Sequence, residues 1–173
     1  AGVQGLYNAM GVQPDLSFLT EGWGKSWQIM ETAYKPYPCG FVINPVLDCV
    51  LDWRRDHAGA EVVKVIVRGN PLLADRTDRP NVTNGRLSQV SVQHAVAAAL
   101  ARGKAGPEEF SDECVADAKV AALRAKVEVV RDASFATVAA AVDIATADGQ
   151  VHRVSTQAAR GSEVNPMSED DLE

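Results

Sequence analysis

Several things that would identify a site at once are missing or scarce in this chain. Cysteine is scarce: Cys39, Cys49 and Cys114 are odd in number and sit at no C-x-x-C or zinc-type spacing. That excludes a disulfide framework and a cysteine metal cage, and it points to a reducing compartment. His57, His94 and His152 lie far apart, and none belongs to an H-x-x-x-H or H-E-x-x-H pattern, so no metal dependence is expected. Basic charge is in deficit, with 17 Lys and Arg against 23 Asp and Glu and a net charge of −6. Nucleic acid is therefore not an expected partner, because phosphate binding wants a basic face. No apolar run approaches the ~20 residues that span a bilayer, and the opening A-G-V-Q-G-L-Y lacks the basic-then-apolar layout of a signal peptide. A cytoplasmic location, away from membranes, is the expectation.

What the chain does have is an ordinary globular composition, 46% hydrophobic and 23% charged over 173 residues, enough for one domain with a proper core. Its most informative stretch is Tyr34–Pro45, Y-K-P-Y-P-C-G-F-V-I-N-P. Pro36 and Pro38 fix their own φ angles and push Lys35 and Tyr37 toward extended backbone, so this loop loses little entropy when it closes on something. Asn44 followed by Pro45 reads as an N-cap and first helical residue ahead of the periodic Val46, Leu47, Val50 and Leu51, although a start one turn earlier, near Gly40, fits as well. Either way a cationic side chain lies a few residues from a helix start, an arrangement suited to a carboxylate or phosphate.

Along the rest of the chain, strands are expected at Trp27–Ala33, Glu61–Arg68, Val127–Arg131, Thr137–Thr146 and Gln150–Gln157, the last two joined through Asp148-Gly149 as a hairpin. In Glu61–Arg68, alternation puts Val63, Val65 and Val67 on one face. The helix after Pro45 should end near His57–Gly59. Asn70–Arg86 reads as a loop, with a short helical turn at Pro71–Asp75. Ser91 caps a helix whose Val92, Ala95, Val96, Ala99 and Leu100 form one stripe ending at Gly103, and Ser111 or Asp112 starts a third helix. This order predicts an α+β fold: a two-layer sandwich with a mixed, mostly antiparallel sheet of about five strands and helices on one face.

The run W-x-I-x-x-T-A-Y-K-P-Y-P-C-G followed by N-P-V-L-D resembles the lid-domain signature of the MmgE/PrpD family, which includes 2-methylcitrate dehydratase, cis-aconitate decarboxylase and iminodisuccinate epimerase. Ser91–Leu100, Lys126–Asp132 and Gly161–Leu172 resemble the family's next helix, a strand and its G-x-x-x-N-P-M-S-x-x-D-L exit, in the correct order. The resemblance implies a connector or helix remnant over 1–24, an α+β lid domain over 25–160 and an exit segment over 161–173. It implies a fragment whose large helical domain, the source of most catalytic groups, is missing, and a homodimer in the full-length protein. The implied function is that of a lid in a lyase or isomerase that needs no metal or organic cofactor. The substrate would be a small di- or tricarboxylate, with a proton abstracted beside a carboxylate.

On that resemblance Lys35 is the expected catalytic residue, pairing with a substrate carboxylate or moving a proton, and Tyr37, Cys39, Gly40 and Asn44 are the expected substrate-binding positions. The residues themselves read more plainly. Tyr37 between two prolines reads as packing, and Cys39, with no histidine near it in sequence, as a small buried residue rather than a nucleophile. Some relatives carry a histidine near the Gly40 position or aligned with Asn44, whereas neither residue here can titrate. His94 reads as a core or boundary residue, and Arg68, Arg76, Arg79 and Arg86 as a solvated rim. The alternative reading is a stand-alone, non-catalytic α+β binding or interaction module.

Overall fold

A computed structural model of the chain describes residues 34–171, together with 15, 17, 20–27, 29 and 32. The chain divides into two compact units, Ala1–Thr32 and Ala33–Glu173. In the first, residues 20–25 form turns in which Gly22 and Gly24 take positive φ.

The second unit is α+β. Its helices are α1 (Asn44–Asp56), α2 (Pro71–Thr77), α3 (Gly85–Ser88), α4 (Val92–Arg102), α5 (Asp112–Ala116) and α6 (Ala118–Arg124), and its strands are β1 (Val62–Gly69), β2 (Val127–Arg131), β3 (Ala140–Thr146) and β4 (Val151–Thr156). The sheet order is β2-β1-β3-β4. The β1–β2 pairing is parallel, and β1–β3 and β3–β4 are antiparallel. The mixed, mostly antiparallel sheet expected from sequence is present, with four strands rather than about five among the described residues. Of the expected strand Trp27–Ala33, positions 28, 30, 31 and 33 lie outside the described residues, and 27, 29 and 32 are not in a strand.

The core forms where α1 and α4 cover one face of the sheet. Ile43, Val46, Leu47 and Val50 of the α1 region and Val92, Val96 and Ala99 of α4 meet Val65, Val67, Val142 and Ile144 of the strands. Alternation along β1 is broken at its start by a register shift between Val62 and Lys64. The extra residue turns Val62 inward to 5% exposure and leaves Val63 at 44%, which reverses the expected placement of these two valines. The opposite face is polar, with Lys64 paired to Glu128 at 2.8 Å and Asp143 held between Arg68 at 3.3 Å and Arg153 at 2.6 Å.

Helix α4 is bounded as its sequence dictates. The Ser91 hydroxyl accepts from the His94 N–H at 3.1 Å, and Gly103 takes the left-handed φ of 71° that ends the helix. Every residue from Val92 to Leu100 is buried. The stripe found in sequence faces the sheet, while Ala97 and Ala98 form a second cluster with Cys114 and Val120 of α5 and α6. The third helix expected from Ser111 is broken into two at Asp117. That residue takes extended backbone, and its carboxylate accepts from the Lys119 and Val120 N–H groups, restarting the helix.

Candidate functional site

Helical backbone begins one turn ahead of α1, at the earlier of the two starts that the sequence left open. A 3-10 turn over Phe41–Ile43 runs directly into α1, and the Asn44 N–H donates to Phe41 O. Asn44 is therefore not an N-cap. Its side chain points inward, fully buried, with the Cys39 thiol 3.7 Å from its Oδ1 and, among the described residues, no acceptor for its Nδ2. Pro45 still occupies the first turn, where a missing N–H is harmless.

The loop ahead of this helix is tied down along its whole length. Tyr34 N–H donates to Gly161 O at 3.1 Å, and Gly40 N–H donates to Gln89 O at 2.7 Å. Between these ties the Tyr37 hydroxyl donates to Asp48 Oδ1 at 2.7 Å, one turn into α1. The other oxygen of Asp48 accepts from the Arg160 N–H at 2.8 Å, so one carboxylate joins the loop, the helix and the segment after β4. Gly161 is at φ +81°, and a Cβ there would lie 2.2 Å from Tyr34 O, so only glycine allows the two strands of chain to approach this closely. Farther along, the Arg160 guanidinium pairs with Asp171, whose carboxylate also accepts from the Ser168 N–H and hydroxyl.

The electrostatics follow from burial. Desolvation raises the Asp48 carboxyl above its ordinary value, opposed by the Arg160 N–H and the Tyr37 hydroxyl. Desolvation is also the largest influence lifting the Tyr37 phenol, followed by the Asp48 charge. Burial pushes the Cys39 thiol up to about 12, with the nearby Lys35 charge acting against it. Cys39 is 2% exposed and stays a thiol at neutral pH, which is the environment of an inert cysteine. All three cysteines are free and buried.

Of the residues singled out in sequence, Lys35, Tyr37, Cys39, Gly40 and Asn44 are thus brought together in one short, clamped stretch. Lys35 is exposed and has no carboxylate partner among the described residues. Tyr37 spends its proton on Asp48. Gly40 meets only ordinary contacts where a Cβ would stand, so its backbone hydrogen bond, not space, is what the position provides. Sequence reasoning missed Asp48, Arg160 and Gly161 as parts of this site. Asp48 stands in the quoted N-P-V-L-D run, but its partners are 11 and 112 residues away and leave no local pattern.

Beside the clamp lies a polar cleft of about 440 Å³ whose walls include Tyr37, Asp48, Asp52, Arg55, Arg160 and Asn165. His94 is not part of it. It is fully buried in α4, with its Nε2 at 2.8 Å from Glu109 O and its pKa lowered chiefly by burial. Among the described residues, no three His, Cys, Asp or Glu side chains gather in a way that could hold a metal ion. No described helix is long and apolar enough to cross a membrane.

Comparison with known proteins places these features in a family. Residues 37–173 match the model of the MmgE/PrpD C-terminal domain, a match that opens at Tyr37, two residues after Lys35, and takes in Asp48, Arg160 and Gly161 but not Tyr34 or Lys35. No curated protein matches the chain.

Proposed function

The chain belongs to the MmgE/PrpD family, matched over its C-terminal domain, and from that membership we propose that it is the lid of a lyase or isomerase acting on a small di- or tricarboxylate. The family is in general lyase- or dehydratase-like. The observation that carries the reading is the contrast between the Lys35 loop and its lysine. The loop on either side of Lys35 is fixed by backbone bonds to Gly161 and Gln89 and by the Tyr37 bond to Asp48, while the ammonium itself is exposed and has no carboxylate partner among the described residues. A cation presented on a stiff support suits a ligand carboxylate, since little conformational entropy is lost when the pair forms.

In this reading Lys35 binds a substrate carboxylate or, once desolvated by closure over a helical domain of the same enzyme, exchanges a proton at the neighbouring carbon. Tyr37, Cys39, Gly40 and Asn44 set the shape of the loop beneath it. Among the described residues the buried Nδ2 of Asn44, under the loop, has no acceptor. The reading carries no cofactor and places the enzyme in the cytoplasm as a homodimer.

The test is Lys35→Ala in the enzyme that carries this domain together with its helical domain. The expected loss in kcat/KM is on the order of a hundredfold, with partial recovery in Lys35→Arg. Unchanged kinetics with an unchanged melting temperature would return Lys35 to the class of surface lysines. The 173-residue chain alone, assayed on cis-aconitate, 2-methylcitrate and iminodisuccinate, is expected to show no turnover, because a lid supplies only part of the constellation that proton abstraction needs. Robust turnover by the chain alone would overturn the lid reading.

A further inference from the structure

The far end of α1, about 20 Å along the helix from the Lys35 loop, carries a second concavity of different character. It is a groove of about 340 Å³ formed by the last turns of α1 and α4, helix α6 and the entry to β1. Its apolar wall is built from Trp53, Leu100, Ala122 and Leu123, and three cations, Arg54, Lys119 and Lys126, stand around it with Glu61 as the one acid.

Three observations make this more than a surface dip. None of the three cations, nor Glu61, has an ion-pair partner among the described residues, although the chain as a whole is acidic. Two of the cations are held in place without being neutralised: Arg54 Nε donates to Leu100 O at 2.8 Å and Lys126 Nζ donates to Val62 O at 2.7 Å. Carbonyl tethers fix where the positive charge sits and leave that charge available. Finally, Trp53, only 4% exposed, has an indole N–H with no acceptor among the described residues, an uncommon state for a buried donor.

We propose that this groove binds a small monoanion with an apolar body, a carboxylate on a short aliphatic or aryl chain. The body lies against Leu100, Leu123 and the Trp53 ring, and the carboxylate is met by Lys119 and Lys126. The groove volume is at the small end of the range typical of ligand pockets, and an apolar wall with a few fixed polar groups is the usual make-up of such sites. Net local charge of three cations against one acid supplies the complementarity for an anion, and burial of the chain supplies affinity that charge alone does not. The site is independent of the Lys35 reading, since none of its residues belongs to the clamped loop.

The probe is octanoate, titrated calorimetrically into the 173-residue chain, with octanol and acetate as arms that keep only the tail or only the charge. Octanoate is expected to bind saturably and at least tenfold more tightly than either. Lys119→Glu, at an exposed position, is expected to weaken octanoate at least tenfold. Ala122→Trp, also at an exposed position, fills the groove and should abolish binding, both variants melting within a few degrees of the parent. The Trp53 indole resonance, assigned by its loss in Trp53→Phe, should move on octanoate addition. No saturable binding, octanol binding as well as octanoate, or octanoate affinity unchanged in Lys119→Glu would each overturn the proposal.

Discussion

Two carboxylates hold two loops in this protein, and they are held in different ways. Glu109 is fully buried. Its Oε2 accepts from the Gly106 N–H at 2.9 Å, and Arg102 and Lys104 stand 3.6 and 3.8 Å from its other oxygen. Asp48 is only partly buried. It ties the Lys35 loop and the segment after β4 through neutral donors, and no cation pairs with it among the described residues. A carboxylate between two cations fixes a turn for stability. One held by a phenol and a peptide N–H, at a raised pKa, keeps a loop in place at a site where that loop is expected to meet a ligand.

The largest effect should come from Glu109. Glu109→Ala leaves the Gly106 N–H without its acceptor and takes the one buried counter-charge from Arg102 and Lys104. A loss of about 3 kcal/mol is expected, which for a domain of this size lowers the melting temperature by roughly 6–12 °C. Calorimetry of the variant chain checks it. A drop of a degree or less would show that the turn holds itself and that the two carboxylates do not differ as described.

Asp48→Ala is expected to cost less in global stability and more in local order. It removes both acceptor oxygens at once, so neither the Tyr37 hydroxyl nor the Arg160 N–H keeps its partner. Melting should fall by a few degrees at most, while amide hydrogen exchange at Arg160 and Gly161 speeds up about tenfold or more, the signature of a local opening rather than a global one. Tyr37→Phe releases only the loop side, so exchange at Arg160 should stay near the parent rate. Equal exchange in both variants would mean that Asp48 does not join the two segments.

The difference between the two loops also marks what was legible in the sequence. Helix α4 was readable end to end because its signals are local: Ser91 three residues before the N–H it caps, Gly103 just past the last periodic residue, and a 3.6-residue stripe between them. The stiffness of the Lys35 loop was readable for the same reason, from Pro36 and Pro38. What holds that loop was not, because Tyr37 to Asp48, Asp48 to Arg160 and Tyr34 to Gly161 are tertiary pairings. For the start of α1 the sequence left two places open, a cap at Asn44 and a start one turn earlier near Gly40, and the second is found; local pattern could not choose, since an Asn-Pro pair looks the same whether the asparagine caps a helix or sits buried one turn inside helical backbone. The break at Asp117 was missed for a related reason: an aspartate two residues before Lys119 signals a cap only if the chain has already left helical backbone.

The smallest expected effect is on the pH dependence of stability, where Asp48 and Asp143 oppose each other. Desolvation raises the Asp48 pKa above 3.8, so over the interval between its unfolded and folded values the folded state binds more protons than the unfolded one. Stability contributed by that group therefore increases as pH falls through the folded pKa and is lowest above it. Asp143 has the opposite sign: its hydrogen bond to Arg153 holds its pKa below 3.8, the unfolded state binds more protons, and stability is lost as pH falls toward the folded value. In the parent chain the Asp48 contribution offsets part of the acid loss that Asp143 and similarly paired carboxylates produce. Asp48→Asn removes that offset, so its melting temperature should fall more steeply than the parent's between pH 6 and pH 4, and Asp143→Asn should fall less steeply than the parent below pH 4, on the acid side of 3.8. Parallel melting curves for the parent and Asp48→Asn across that range would show that the Asp48 carboxyl titrates alike folded and unfolded, and the contrast with Glu109 would then rest on geometry alone.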